Sequence, residues 1–149
     1  LLMKSLYSFI VKPFKERYDN KKYVDGKELI INTSIEDHSF VSKKALVVST
    51  PIAYNTKIKI GDELYVHHNI FRRWYDQKGR ERNSSTHFKN DLYFVSPEQI
   101  YMYNLKAHLE YCFVKPLKNQ SFLENRKEQP NVGIVKYSNK SLEALGITF

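Results

Sequence analysis

Lys57-Ile58-Lys59-Ile60-Gly61-Asp62-Glu63-Leu64-Tyr65-Val66 is the stretch whose reading decides the fold. Apolar and polar residues alternate on both sides of the Gly-Asp. Ile58 and Ile60 fall on one face and Lys57 and Lys59 on the other, and Leu64 and Val66 then resume the apolar face. A period of two belongs to a strand buried on one side, so the stretch predicts strand, tight turn, strand. Gly61 supplies the backbone freedom that the turn needs.

Downstream, His67 and His68 lead into a basic and aromatic arm, residues 70–88, whose centre Asp76-Gln77-Lys78-Gly79 reads as a hairpin turn. The arm places Arg72, Arg73, Lys78, Arg80 and Arg82 beside Phe71, Trp74 and Tyr75. Cations interleaved with aromatic rings are what single-stranded nucleic acid requires, charge for the backbone and flat faces for the bases. Arg72, Arg73, Trp74, Tyr75 and Arg80 are the candidates for that role, although Asp76 and Glu81 dilute the charge. Beyond the arm, Asp91–Val95 and Ile100–Tyr103 read as strands, and Ser96-Pro97-Glu98-Gln99 between them as a turn or one helical turn.

Upstream, Leu6–Pro13 reads as a first strand ended by proline, and Ala45–Val48 as a buried strand closed by Ser49-Thr50-Pro51. Residues 14–28 are rich in charge and poor in apolar periodicity, which predicts a mobile loop. Leu29-Ile30-Ile31 follows as an isolated apolar triplet, either a short buried strand or a displayed one. After Asn104 the chain begins again: Leu109–Lys118 echoes Leu6–Lys15, Asn131–Ser138 echoes Lys44–Ser49, and Leu145–Phe149 approaches the Ile-Lys-Ile-Gly-Asp pattern. Residues 108–149 therefore read as a partial second β repeat.

The 149 residues, 42% of them hydrophobic and rich in Val, Ile, Tyr and Phe, suffice for one all-β domain and part of another. A net charge of +8 bears on association rather than on a named activity. The single cysteine, Cys112, excludes an intramolecular disulfide and a paired-cysteine zinc site, fits a reducing cytoplasmic setting, and reads as a buried small side chain. No apolar run is long enough to cross a bilayer. Met3, after Leu1-Leu2, is read as the natural start. His67 and His68, adjacent on a strand, point to opposite faces, and His67 with His87 lacks further ligands, so neither a metal nor another cofactor is expected. No phosphate-binding glycine loop, nucleophile elbow or paired catalytic carboxylate is present, and the chain does not read as an enzyme.

The ordered set of strand ending in Lys-Pro, polar loop, apolar triplet, Val-Val strand and Lys-Ile-Gly-Asp turn resembles the GroES-type co-chaperonins. Phe9–Pro13 is similar to the family's opening strand, Leu46-Val47-Val48 to its second, Ile58–Val66 to its Val-Lys-Val-Gly-Asp-x-Val motif, and Leu92–Ile100 to its closing segment. The resemblance implies a small β-barrel over residues 6–104, assembled as a homo-oligomeric ring that caps a GroEL-type chaperonin chamber and assists folding. It also implies that Leu29, Ile30 and Ile31 are the residues that dock on the chaperonin. Lys27-Glu28 stands where the family has Gly-Gly, and the arm is longer than its counterpart. These features, with the partial repeat, are more like divergent virus-encoded members from phage, for which the location is the host cytoplasm.

Overall fold

The structure, a computed structural model, describes residues 3–18, 21–30, 41–118 and 128–148. It is predominantly β, 44% strand against 7% helix, in antiparallel sheets of which none closes into a barrel among the described residues. The chain divides into two compact units, Leu1–Asn104 and Leu105–Phe149.

In the first unit the strands are β1 (Phe9–Pro13), β2 (Lys21–Val24), β3 (Lys27–Ile30), β4 (Lys44–Ser49), β5 (Glu63–Val66), β6 (Arg73–Tyr75), β7 (Glu81–Asn83), β8 (His87–Lys89), β9 (Leu92–Val95) and β10 (Ile100–Tyr103). The principal sheet runs β10-β5-β4-β1-β9-β8. Alternation sets its buried face: along β4 Ala45, Val47 and Ser49 are inside, along β5 Leu64 and Val66, along β9 Tyr93 and Val95, along β10 Ile100 and Met102. Phe9, Val11, Ile58, Ile70 and Phe71 complete this core. The β9–β10 connection is the expected single turn, a 3-10 segment at Pro97–Gln99 in which Ser96 N–H and Oγ both donate to Gln99 Oε1.

The deciding stretch folds differently from its pattern on one side. Residues 57–60 are not a strand; Ile58 is buried but Ile60 is 58% exposed. Asp62 N–H donates to Lys59 O at 3.1 Å and Gly61 has φ 89°, the geometry of a turn that demands a positive φ at its third residue. Asp62 Oδ2 accepts Lys59 N–H at 2.8 Å, and the turn is welded to β4, Gly61 N–H donating to Val47 O and Val47 N–H to Asp62 O. With the backbone of 59–62 closed on itself and on β4, no ladder is left for Ile60 to join. The partners of β5 are instead β4 and β10.

Three further expectations change. The first strand starts at Phe9, not Leu6, because the Ser5 and Leu6 carbonyls accept from Ile52 and Ala53, and Leu6 and Tyr7 stay exposed. The loop read over 14–28 contains a hairpin, β2 with β3, turned by Asp25 (φ 49°) and Gly26 (φ 75°). Two successive positive φ values give the turn twist that matches paired strands, and Asp-Gly is the dipeptide that tolerates it. His67 and His68 do not diverge: they lie past the end of β5, where the strand alternation no longer holds, and their rings stack at 4.2 Å.

The second unit holds a two-residue strand, β11 (Lys106–Ala107), the hairpin of β12 (Phe113–Lys118) with β13 (Glu128–Tyr137), and α1 (Lys140–Ala144). Asn139 caps the helix, its Oδ1 accepting Leu142 N–H at 2.9 Å, while its Nδ2 donates to Glu110 O. Residues 145–148 are not a strand. Cys112 is half-buried rather than enclosed, because the described residues of this unit build no deep interior around it.

Candidate functional site

The segment that carries the apolar triplet leaves the sheet through a stem. Tyr18 and Val41 form an isolated antiparallel bridge, and Ser42 N–H donates to Arg17 O at 2.7 Å. Beyond the stem, β2 and β3 pair in register, with Leu29 opposite Lys22 and Ile30 opposite Lys21. Leu29 is 52% exposed. Ile30 shares its strand, and Ile31 lies outside the described residues.

The arm stands beside that stem. Its base is buried at Ile70 and Phe71, whose ring meets Tyr93 edge-on at 4.9 Å. Ile70 O accepts two hydroxyls, Ser84 Oγ at 2.7 Å and Thr86 Oγ1 at 3.0 Å, so the Asn-Ser-Ser-Thr run closes the base of the arm. Above the base, Arg73, Trp74 and Tyr75 pair with Asn83, Arg82 and Glu81. Asp76 organises the tip: Oδ1 accepts the N–H groups of Lys78 and Arg80, and Oδ2 accepts Nε of Arg80 and of Arg82. These donors, the Arg80 N–H foremost, hold its carboxyl below the usual carboxylate range against the opposing effect of burial.

Arg17 and Tyr18 tie the stem to the arm. The Arg17 guanidinium donates to Phe71 O through Nε at 3.1 Å and Nη2 at 2.9 Å, and to Asn83 Oδ1 through Nη1 at 2.9 Å. It lies 5.2 Å from the Tyr93 ring centre. Burial lowers the Arg17 pKa, and the neighbouring Tyr93 works against that shift. In reciprocal fashion Arg73 N–H donates to Tyr18 Oη at 2.8 Å while the Arg73 guanidinium sits 4.9 Å over the Tyr18 ring. An open groove of about 660 Å³ runs along residues 12–18 beside Leu46, Arg73 and Asp91, with Lys12, Lys15, Arg17 and Arg73 on its walls and only Glu16 and Asp91 opposing them in charge.

Of the arm residues singled out from sequence, Trp74, Tyr75 and Arg80 are exposed, the two rings at 44% and 49%. Trp74 Nε1 donates to Asn83 O, which fixes the indole across the hairpin. The cations are largely engaged within the arm: Arg73 with Glu81 at 2.8 Å, Arg80 and Arg82 with Asp76. Arg72 is half-buried, and its Nε has no partner among the described residues. Sequence reasoning missed Arg17 and Tyr18, whose partners lie more than fifty positions away and leave no local period. Asp76 was legible in principle, since an aspartate opening a four-residue turn bonds to the backbone ahead of it. Among the described residues, no group of three or more His, Cys, Asp or Glu side chains is placed to hold a metal ion, and no helix is long and apolar enough to cross a membrane. Comparison with protein-family models, with curated proteins and with solved structures returns no match.

Proposed function

We propose that the chain is a divergent GroES-type co-chaperonin, which caps a GroEL-type chaperonin ring by docking Leu29, Ile30 and Ile31 and acts as a homo-oligomeric ring. On this reading the principal sheet of the first unit stands for the family's barrel. The observation that carries the proposal is Leu29, an aliphatic side chain 52% exposed on a hairpin that leaves the core through a two-point stem. A side chain of this kind left in water is held ready for another surface: full burial of each aliphatic residue contributes roughly 1.5–3 kcal/mol. Ordering the segment consumes part of that gain, so one copy binds weakly, whereas several copies on a ring bind by avidity and still release.

Replacing Leu29, Ile30 and Ile31 together with serine tests the reading. Binding to a nucleotide-loaded chaperonin ring should be abolished while the far-ultraviolet spectrum and Tm stay unchanged; retention of wild-type binding sinks the proposal. A second reading, binding of single-stranded nucleic acid through Arg72, Arg73, Trp74, Tyr75 and Arg80, is favoured by the two exposed rings of β6. It predicts that Arg72, Arg73 and Arg80 changed to alanine weaken binding and flatten its salt dependence. The absence of any salt-sensitive binding by the unmodified protein removes it.

A further inference from the structure

The described residues of the unit Leu105–Phe149 form no apolar interior. Among its described side chains only Asn139 is buried, while Val114, Val132 and Ile134 on its hairpin are 52%, 49% and 52% exposed. A stretch of this size without a core needs further apolar cover to be stable.

The hairpin's register identifies what that cover is. In the first unit Pro13, Lys12 and Val11 pair with Ala45, Leu46 and Val47; the register then shifts between Val11 and Ile10, and Ile10 pairs with Ser49. In the second, Pro116, Lys115 and Val114 pair with Gly133, Ile134 and Val135; the register shifts between Val114 and Phe113, and Phe113 pairs with Tyr137. Positions 10–13 thus superpose on 113–116 and 45–49 on 133–137, with the same Lys-Pro and the same extra residue, Val48 or Lys136, at the same step. A bulge is a specific device that bends one strand at one place, and two unrelated hairpins have no reason to share it.

The two copies differ in what lies on their flanks. In the first unit β9 pairs along the outer edge of β1 and β5 along the outer edge of β4, and the paired Val11 and Val47 are 0% and 3% exposed. Among the described residues of the second unit, β12 and β13 form a sheet of their own, with no strand on either outer edge. An uncovered strand edge is a template for pairing.

We propose that β12–β13 is an acceptor hairpin whose outer edges take up strands of the β9 and β5 kind. The occupant is polypeptide of the same repeat type as Gly61–Asn104: short alternating apolar strands, the first introduced by a Gly-Asp turn. Seated there, they pair the open backbone edges of β12 and β13 as β9 and β5 pair the outer edges of β1 and β4. The proposal concerns a surface other than Leu29 and stands whether or not the chain serves a chaperonin.

The test is the full chain, and the same chain extended after Phe149 by a second copy of Gly61–Asn104, compared by hydrogen exchange. In the unextended chain the amides of β12 and β13 should exchange at least about 100-fold faster than those of β1 and β4, and the extension should remove that difference. Protection of β1 and β4 in both chains reports an intact first unit. A control extension in which the copies of Leu64, Val66, Tyr93 and Val95 are aspartate should leave β12 and β13 fast, as should Val114→Asp within the apolar extension. Slow exchange of β12 and β13 in the unextended monomer, or no slowing on extension, overturns the proposal. Slow exchange that appears only as protein concentration rises assigns the edges to the β12–β13 hairpin of a second copy, since Gly61–Asn104 is already seated in its own sheet, and overturns the proposal equally.

Discussion

Gly61 and Arg17 hold the first unit by different means, and each can be tested alone. Gly61 has φ 89° and open space where a Cβ would stand, so Gly61→Ala meets no neighbour and its penalty is that of forcing an L-residue into a left-handed conformation. The expected loss is about 1–2 kcal/mol in a urea titration. Arg17 binds the Phe71 carbonyl and the Asn83 side chain at once. Arg17→Met keeps the aliphatic stem but strands those acceptors, and because the site is partly open to water the loss should be about 1–2 kcal/mol. A double-mutant cycle with Asn83→Ala should return a coupling of roughly 0.5–1 kcal/mol; strict additivity would show that the bridge contributes nothing. Tyr93 presents the converse case: its ring is buried under Arg17 and against Phe71, burial pushes its phenol pKa up, and its hydroxyl has no partner among the described residues. Tyr93→Phe keeps the ring contacts and removes the unpaired group, so Tm should hold or rise.

The arm is an element whose base and tip rest on unrelated forces. At the base Phe71 is wholly buried, and Phe71→Ala should cost about 3–5 kcal/mol and unfold the arm with the core. At the tip the fold depends on one carboxylate that gathers four donors. Its folded pKa is depressed, so the order it confers is complete above the ordinary carboxylate value of about 4 and is lost as pH falls through the depressed value. Trp74 is the only tryptophan, so its fluorescence reads that loss directly: the signal should be flat from neutral pH to about 5 and change only in stronger acid. Asp76→Asn, which never ionises, should show a loosened tip at neutral pH and no acid step. An acid step of wild-type size in that variant would assign the transition to another carboxylate. The same carboxylate pairs with Arg80 and Arg82, which stay exposed beside the Trp74 and Tyr75 rings.

At the scale of the whole molecule, stability is concentrated in one unit. The buried apolar residues all belong to Leu1–Asn104, and the second unit contributes none among its described residues. Native mass measurement bears on the proposed assembly most directly: a closed ring is expected at micromolar concentration, and a monomer under the same conditions counts against docking by avidity.

Local rules carried far in this sequence. Alternation located β5, short apolar runs bounded by turn residues located β4, β9 and β10, and Ser-Pro located the turn between the last two, because strands and turns of this kind are written in adjacent residues. Asp-Gln-Lys-Gly located the tip of the arm, since turn chemistry is set by adjacent residues. The same rules misassigned Lys57–Ile60, where the alternation was real but the backbone bonds went to a closed turn and to Val47, and missed the β2–β3 hairpin, whose short strands carry little apolar period. What only the tertiary structure decided was pairing at a distance. The tie from Arg17 and Tyr18 to the arm joins positions remote in the chain and leaves no local mark. Leu29 stands exposed and Ile60 with it, while Ile58 is buried, although all three are aliphatic. Sequence records which side chains seek an interior, but which of them reach it depends on where the backbone finds its partners.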